Sequence, residues 1–184
     1  MRYYIGFLIT IGLIFVLIFL LFSGGGKKGG PTVTAPLISY ANTSSEVRLT
    51  IDGPINADQI HGQVRITVNQ YTVTFDQIQG YDGTVVNQKQ FNNSENAYNV
   101  FLHALNIAGF TEGDSRSSLS DERGYCALGD RYIVELIQGG NDLERFWATN
   151  CGGTKSYGGN LTLTLDLFEA QVPNYQTLIQ TTNI

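Results

Sequence analysis

Val47-Arg48-Leu49-Thr50-Ile51, Val64-Arg65-Ile66-Thr67-Val68 and Thr72-Val73-Thr74-Phe75 each alternate an apolar residue with a polar one. A period of two belongs to a strand with one face buried and the other wet. Three such runs in succession point to an antiparallel sheet. Turn residues punctuate them: Asp52-Gly53-Pro54, Asn69-Gln70, and Gly80-Tyr81-Asp82-Gly83, after which Thr84-Val85-Val86 begins a further strand.

The period changes after residue 92. Asn93-Ser94 followed by Glu95 is a helix start. Ala97, Val100, Phe101, Ala104, Leu105 and Ala108 recur at spacings of three and four, and Gly109 stands where the helix would end. His103 falls at the boundary of that apolar face. Arg131 to Gln138 and Leu143 to Thr149 read as a second strand pair around Gly139-Gly140-Asn141-Asp142. Leu161 to Ile179 reads as a second helix with Leu161, Leu165, Phe168 and Val172 on one face and Pro173 as a kink or break. Its Thr/Leu alternation from 161 to 167 also suits a strand. The expected class is α+β, an antiparallel sheet packed against two helices.

Ahead of this domain, Tyr3 to Phe22 is an apolar run without a charge. At about 1.5 Å per residue, twenty residues make a helix of about 30 Å, enough to cross a bilayer core. Residues 1–22 are therefore expected to be a transmembrane anchor, 23–31 a Gly-rich linker and 32–184 a tethered domain. The run is longer than a cleaved signal, no A-x-A-like site follows it, and no cysteine follows for lipidation. A pilin-like leader would need a glutamate where Ile11 stands and a helix continuing past Gly24-Gly25-Gly26. Lys27 and Lys28 serve as a stop signal in a solvated linker and could touch anionic lipid.

Arg2 on one side and Lys27 and Lys28 on the other nearly balance the positive-inside rule. Removing those three from the eleven basic residues leaves eight against sixteen acidic, a formal charge of −8 for the domain. The two cysteines decide orientation, since oxidised pairs persist mainly outside the cytosol. The domain is expected to be extracytoplasmic on a single-pass membrane protein. Cys126 precedes the predicted hairpin and Cys151 follows it, so folding the hairpin brings them together. A bond would close a loop of about 25 residues, worth about 3–3.5 kcal/mol in the chain-entropy model.

The alternative for Cys151 is a catalytic thiol of the sortase type, with Ala148-Thr149-Asn150-Cys151 as the nucleophile strand and His61 or His103 as base. No arginine follows Arg145 to stabilise an oxyanion. Gly152-Gly153-Thr154-Lys155-Ser156 lacks the P-loop glycines. The histidines and cysteines have no zinc spacing, and Asp114, Asp121 and Glu122 match no calcium loop. The acidic balance argues against nucleic acid. N-x-S/T sequons begin at Asn42, Asn92 and Asn160 and matter only for a eukaryotic source. No catalytic residue, cofactor or metal is assigned.

Arg145-Phe146-Trp147-Ala148-Thr149-Asn150-Cys151-Gly152, then Gly158-Gly159, Leu167-Phe168 and Gln171-Val172-Pro173-Asn174-Tyr175, resemble the C-terminal half of uncharacterised single-span proteins of reduced-genome candidate-phylum bacteria. The layout of short N-terminus, span, Gly-rich linker and acidic domain is similar too. The resemblance implies a bacterial cell surface and carries no activity. On structural grounds Trp147 is expected to bury its ring beside the disulfide. Two functions follow. One is a non-catalytic module that binds a protein partner or serves envelope structure, in keeping with its ten tyrosines. The other is an envelope enzyme acting on glycan or peptide, with acid and base drawn from Asp76, Asp82, Glu112 and Asp130.

Overall fold

The structure is a computed structural model and describes residues 35–41 and 44–180. The expected anchor and linker lie outside these residues. Among the described residues no helix is long and apolar enough to cross a membrane.

Six strands form one sheet: β1 (Ser45–Asp52), β2 (Gly62–Asn69), β3 (Thr72–Gln79), β4 (Thr84–Asn92), β5 (Arg131–Gln138) and β6 (Asn141–Thr149). Their spatial order is β4-β3-β2-β1-β5-β6, and every neighbouring pair is antiparallel. The chain first meanders away from β1 through three hairpins, then returns through a helix and a long loop to pair β5 with the other side of β1. The alternation in the sequence sets the register. Val47, Leu49 and Ile51 face Val68, Ile66 and Val64 on one neighbour and Leu136, Val134 and Tyr132 on the other, and the strand residues between them turn to the opposite face.

Three α-helices cover the apolar face: α1 (Glu95–Ile107), α2 (Leu161–Glu169) and α3 (Tyr175–Ile179). Ser94 caps α1 by accepting the Ala97 N–H at 3.2 Å. At the other end Gly109 turns left-handed (φ 75°), so its N–H reaches the Asn106 carbonyl and the Phe110 N–H the Leu105 carbonyl. That is a Schellman stop, which a Cβ-free residue adopts without strain. The buried side chains of α1 are Tyr98, Phe101, Leu102 and Leu105. This corrects the expected face. Tyr98 takes the inward position in place of Ala97, which is exposed, and Val100 stands 64% in solvent. The aromatic ring buries more area than the Ala97 methyl, and its hydroxyl lies 3.3 Å from that of Ser45. Burial pushes the Tyr98 phenol up to about 12. His103 is exposed rather than at the boundary of the face.

The single helix expected over 161–179 is two short ones. Asn160 caps the first, accepting the Leu163 N–H at 3.1 Å. The second starts after Pro173, with Asn174 left-handed at φ 58°. Pro173 disfavours helical geometry at the residue before it, and Asn tolerates the αL turn better than most residues. Phe168 joins the layers, edge-on to Phe101 at 5.2 Å, and Tyr175 stands edge-on to Phe75 at 6.1 Å.

The opposite face of β5 and β6 is covered by the loop between α1 and β5. Trp147 is wholly buried there, with its indole Nε1–H donating to the Leu119 carbonyl at 2.7 Å. Its ring lies against Tyr125 at 4.7 Å, one residue before Cys126. Arg145 beside it pairs with Glu122 at 2.7 Å and donates to the Ser120 carbonyl. The sheet thus carries helices on one face and this loop over part of the other.

Candidate functional site

Strand direction brings four segments to one end of the sheet: the loops 53–61 and 126–130, the turn 80–83, and residues 150–153 after β6. The two cysteines meet here. Cys126 and Cys151 form a disulfide across a sequence separation of 25, with their Cα atoms 5.6 Å apart. The Gly139-Gly140 turn makes this possible. Both glycines have positive φ, as a two-residue hairpin needs, and the strands lead back to bring the flanking residues together. Asn150 reinforces the closure by accepting the Asp130 N–H at 3.0 Å and donating to the Asp130 carboxylate at 2.9 Å. The thiol chemistry considered for Cys151 is not available to a bonded sulfur.

Beneath the same end lies a buried charge cluster that the strand pattern did not announce. Asp52, the last residue of β1, stands opposite Arg131 of β5 and Gln63 of β2. Arg131, only 2% exposed, donates to Asp52 Oδ2 and to the Gly53 carbonyl, both at 2.7 Å. His61 is fully buried, with Nε2 at 2.9 Å from Asp52 Oδ1 and Nδ1 at 3.1 Å from the Pro54 carbonyl. Tyr81 from the β3–β4 turn lies flat on the imidazole at 4.0 Å. Burial raises the Asp52 carboxyl above its ordinary value, against the opposing pull of Arg131 and His61. The cluster ties together the ends of three strands. Arg131 and His61 both converge on the Asp52 carboxylate.

The remaining candidates are dispersed. Asp76 sits in mid-β3 and accepts the Gln88 amide at 2.8 Å. Asp82 accepts the Thr84 N–H and hydroxyl, which hold it below the usual carboxylate range. Glu112 lies in the turn after α1 and Asp130 before β5. These four carboxyls stand on separate elements. Asp114, Asp121 and Glu122 are each matched by an arginine, respectively Arg116, Arg123 and Arg145. Among the described residues no group of three His, Cys, Asp or Glu is arranged to hold a metal. A groove of about 200 Å³ beside the disulfide is lined by Ala148, Thr149, Gly152, Gly153, Thr154, Lys155 and Leu161. It falls below the size usual for a small-molecule site.

The surface over the charge cluster carries several exposed apolar side chains. Ile55, Ile60, Tyr81, Val85, Val86 and Leu128 are all exposed large hydrophobics and all lie at this end. Periodicity could not find them, because they sit in turns or next to a bulge and belong to no regular face. Compared with protein-family models and with curated proteins, the chain matches none.

Proposed function

We propose that the chain is an extracytoplasmic binding module, held to a bacterial membrane by a helix at residues 3–22 and acting through protein contacts rather than catalysis. The carrying observation is the Cys126–Cys151 disulfide. Such a bond persists where thiols are not kept reduced, and it fastens the end of the sheet where exposed apolar side chains gather. At this end both sulfurs are bonded to each other, and His61 and Arg131 are bound to Asp52. The resemblance read in residues 145–175 to uncharacterised single-span proteins of candidate-phylum bacteria is in keeping with this reading.

The test is thiol labelling in the native membrane. Intact cells are treated with a membrane-impermeant alkylating reagent before and after reduction, and Cys126 and Cys151 are followed by mass spectrometry. Labelling only after reduction supports the reading. Protection until lysis, followed by labelling without reduction, would overturn it.

A further inference from the structure

Building on that reading, we infer that the loop end of the sheet is a docking surface for a protein segment that is basic and presents aliphatic side chains. Leu128 is 90% exposed, Ile60 53%, Tyr81 51% and Ile55 45%. They come from three separate loops, and the backbone locks those loops to one another. The Ile55 N–H donates to the Ala127 carbonyl at 2.8 Å, joining the first loop to the disulfide loop. The Asn56 N–H donates to the Tyr81 hydroxyl at 3.1 Å, and that hydroxyl donates to the Asn56 carbonyl at 2.9 Å. The Tyr81 N–H completes the tie on Asp58 Oδ1 at 2.8 Å. With Tyr81 resting on the buried His61 ring, the surface is ordered before any partner arrives, so binding forfeits little loop entropy.

Charge specifies the partner. Segments 53–62, 79–86 and 124–130 contain Asp58, Asp82 and Asp130 and not a single Lys or Arg. Aliphatic anchors on loops that carry three carboxylates attract Lys or Arg at the rim of a partner and repel an acidic protein or an anionic lipid headgroup. Among the described residues, the segment that leads into β1 does not cover the patch. Residues 35–41 lie toward the other end of β1, where the Ser45 hydroxyl donates to the Tyr40 carbonyl at 2.7 Å.

The experiment uses the full chain in phosphatidylcholine nanodiscs, with empty nanodiscs as blank and a labelled synthetic peptide of alternating Lys and Leu as probe. Glu–Leu and Lys–Ser peptides of the same length are the comparators. The Lys–Leu peptide is expected to bind at least about tenfold more tightly than either. Ile55→Ser with Leu128→Ser should weaken it by about tenfold or more, whereas Val100→Ser with Ile107→Ser, on the exposed face of α1, should leave it unchanged. Unchanged melting curves would show that both pairs fold. Equal binding of the Glu–Leu peptide would overturn the proposal, as would equal loss in the α1 variant. So would a dimer that the Ile55/Leu128 variant dissolves, or uptake by anionic vesicles. Labelling from inside the cell would remove the extracytoplasmic reading while leaving the peptide result standing. Outside labelling without Lys–Leu binding would remove this proposal alone.

Discussion

Replacing both Cys126 and Cys151 by Ser should lower the melting temperature by about 10 °C. The bond spans a separation of 25 residues, and the chain-entropy relation gives about 12 cal/mol/K for a loop of that length, or about 3.5 kcal/mol at 25 °C. For a domain of this size each kcal/mol is worth about 2–4 °C in Tm, so the fall should lie between about 7 and 14 °C. The loop contains the whole β5–β6 hairpin, whose pairing the bond does not create, so the effect belongs mainly to the unfolded chain. One local term works against it and draws the expected fall toward the lower end of that range. Cys126 is left-handed at φ 53°, a conformation that costs a side-chain-bearing residue about 1–2 kcal/mol. The bond holds Cys126 there, and its loss frees the residue to relax. The assay is a thermal melt of the full chain in detergent, followed by circular dichroism, with the oxidised state of the starting protein verified by mass. Reduced wild type should melt with the double Ser variant. A shift below about 3 °C would refute the reasoning, because the bond would then join segments already held by Asn150 and Asp130.

Arg131→Met should cost about 3–5 kcal/mol by leaving the Asp52 carboxylate buried without its guanidinium. In urea titrations Asp52→Asn combined with Arg131→Met should cost less than the sum of the singles. Trp147→Phe removes the indole donor to the Leu119 carbonyl and part of the Tyr125 contact, a loss of about 1–3 kcal/mol. Near-UV circular dichroism of the Tyr125 environment should report the loosened loop. The pH response follows from three raised carboxyls, Asp52, Glu135 and Glu169, each displaced mainly by burial. A raised folded value means a contribution fully present below the unfolded value, near 3.8 for Asp52 and 4.5 for Glu135 and Glu169, and lost as pH rises through the folded one. Asp82, Asp114 and Asp121 are lowered by local hydrogen bonds. Their contributions hold above the unfolded value and vanish only as pH falls through the folded one. Melting temperature should therefore not drop between pH 7 and pH 4.5, and Glu135→Gln should flatten the rise toward acid. A steady fall over that range would contradict the assignment.

Most of the sheet was legible because its period is two and one face is buried. A slip of one residue in β1 would turn Val47, Leu49 and Ile51 to solvent, so the pattern and the register carry the same information. The β5–β6 hairpin was legible for a different reason: Gly139-Gly140 supplies two residues able to take positive φ, and the strands follow from it. The α1 face was misjudged by one position because Ala97 and Tyr98 both fit a helical spacing, and spacing alone does not weigh ring area against a methyl. The helix over 161–179 broke where Pro173 and Asn174 reset the backbone, an outcome the Pro signalled without fixing where the next turn begins.

The sheet end was legible only through its cysteines. Arg131 is far in sequence from Asp52 and His61, and each alone reads as a residue beside a turn. What unites them is topology: β1 sits between β2 and β5, so the last residue of β1 faces the first residues of both neighbours. A return connection that placed β5 beside β4 would have left Arg131 without Asp52. The apolar surface above them follows from the same fact, since the cluster anchors Tyr81 and thereby the loops that carry Ile55 and Ile60. Burying an arginine, a histidine and an aspartate is an expensive way to gain stability, and apolar residues of similar volume often serve as well or better. The ties these groups supply, from Arg131 to the Gly53 carbonyl and from His61 to that of Pro54, instead fix loop conformation. Conformational order at a protein-binding surface is where such a cost is recovered, because loops already ordered lose less entropy on docking.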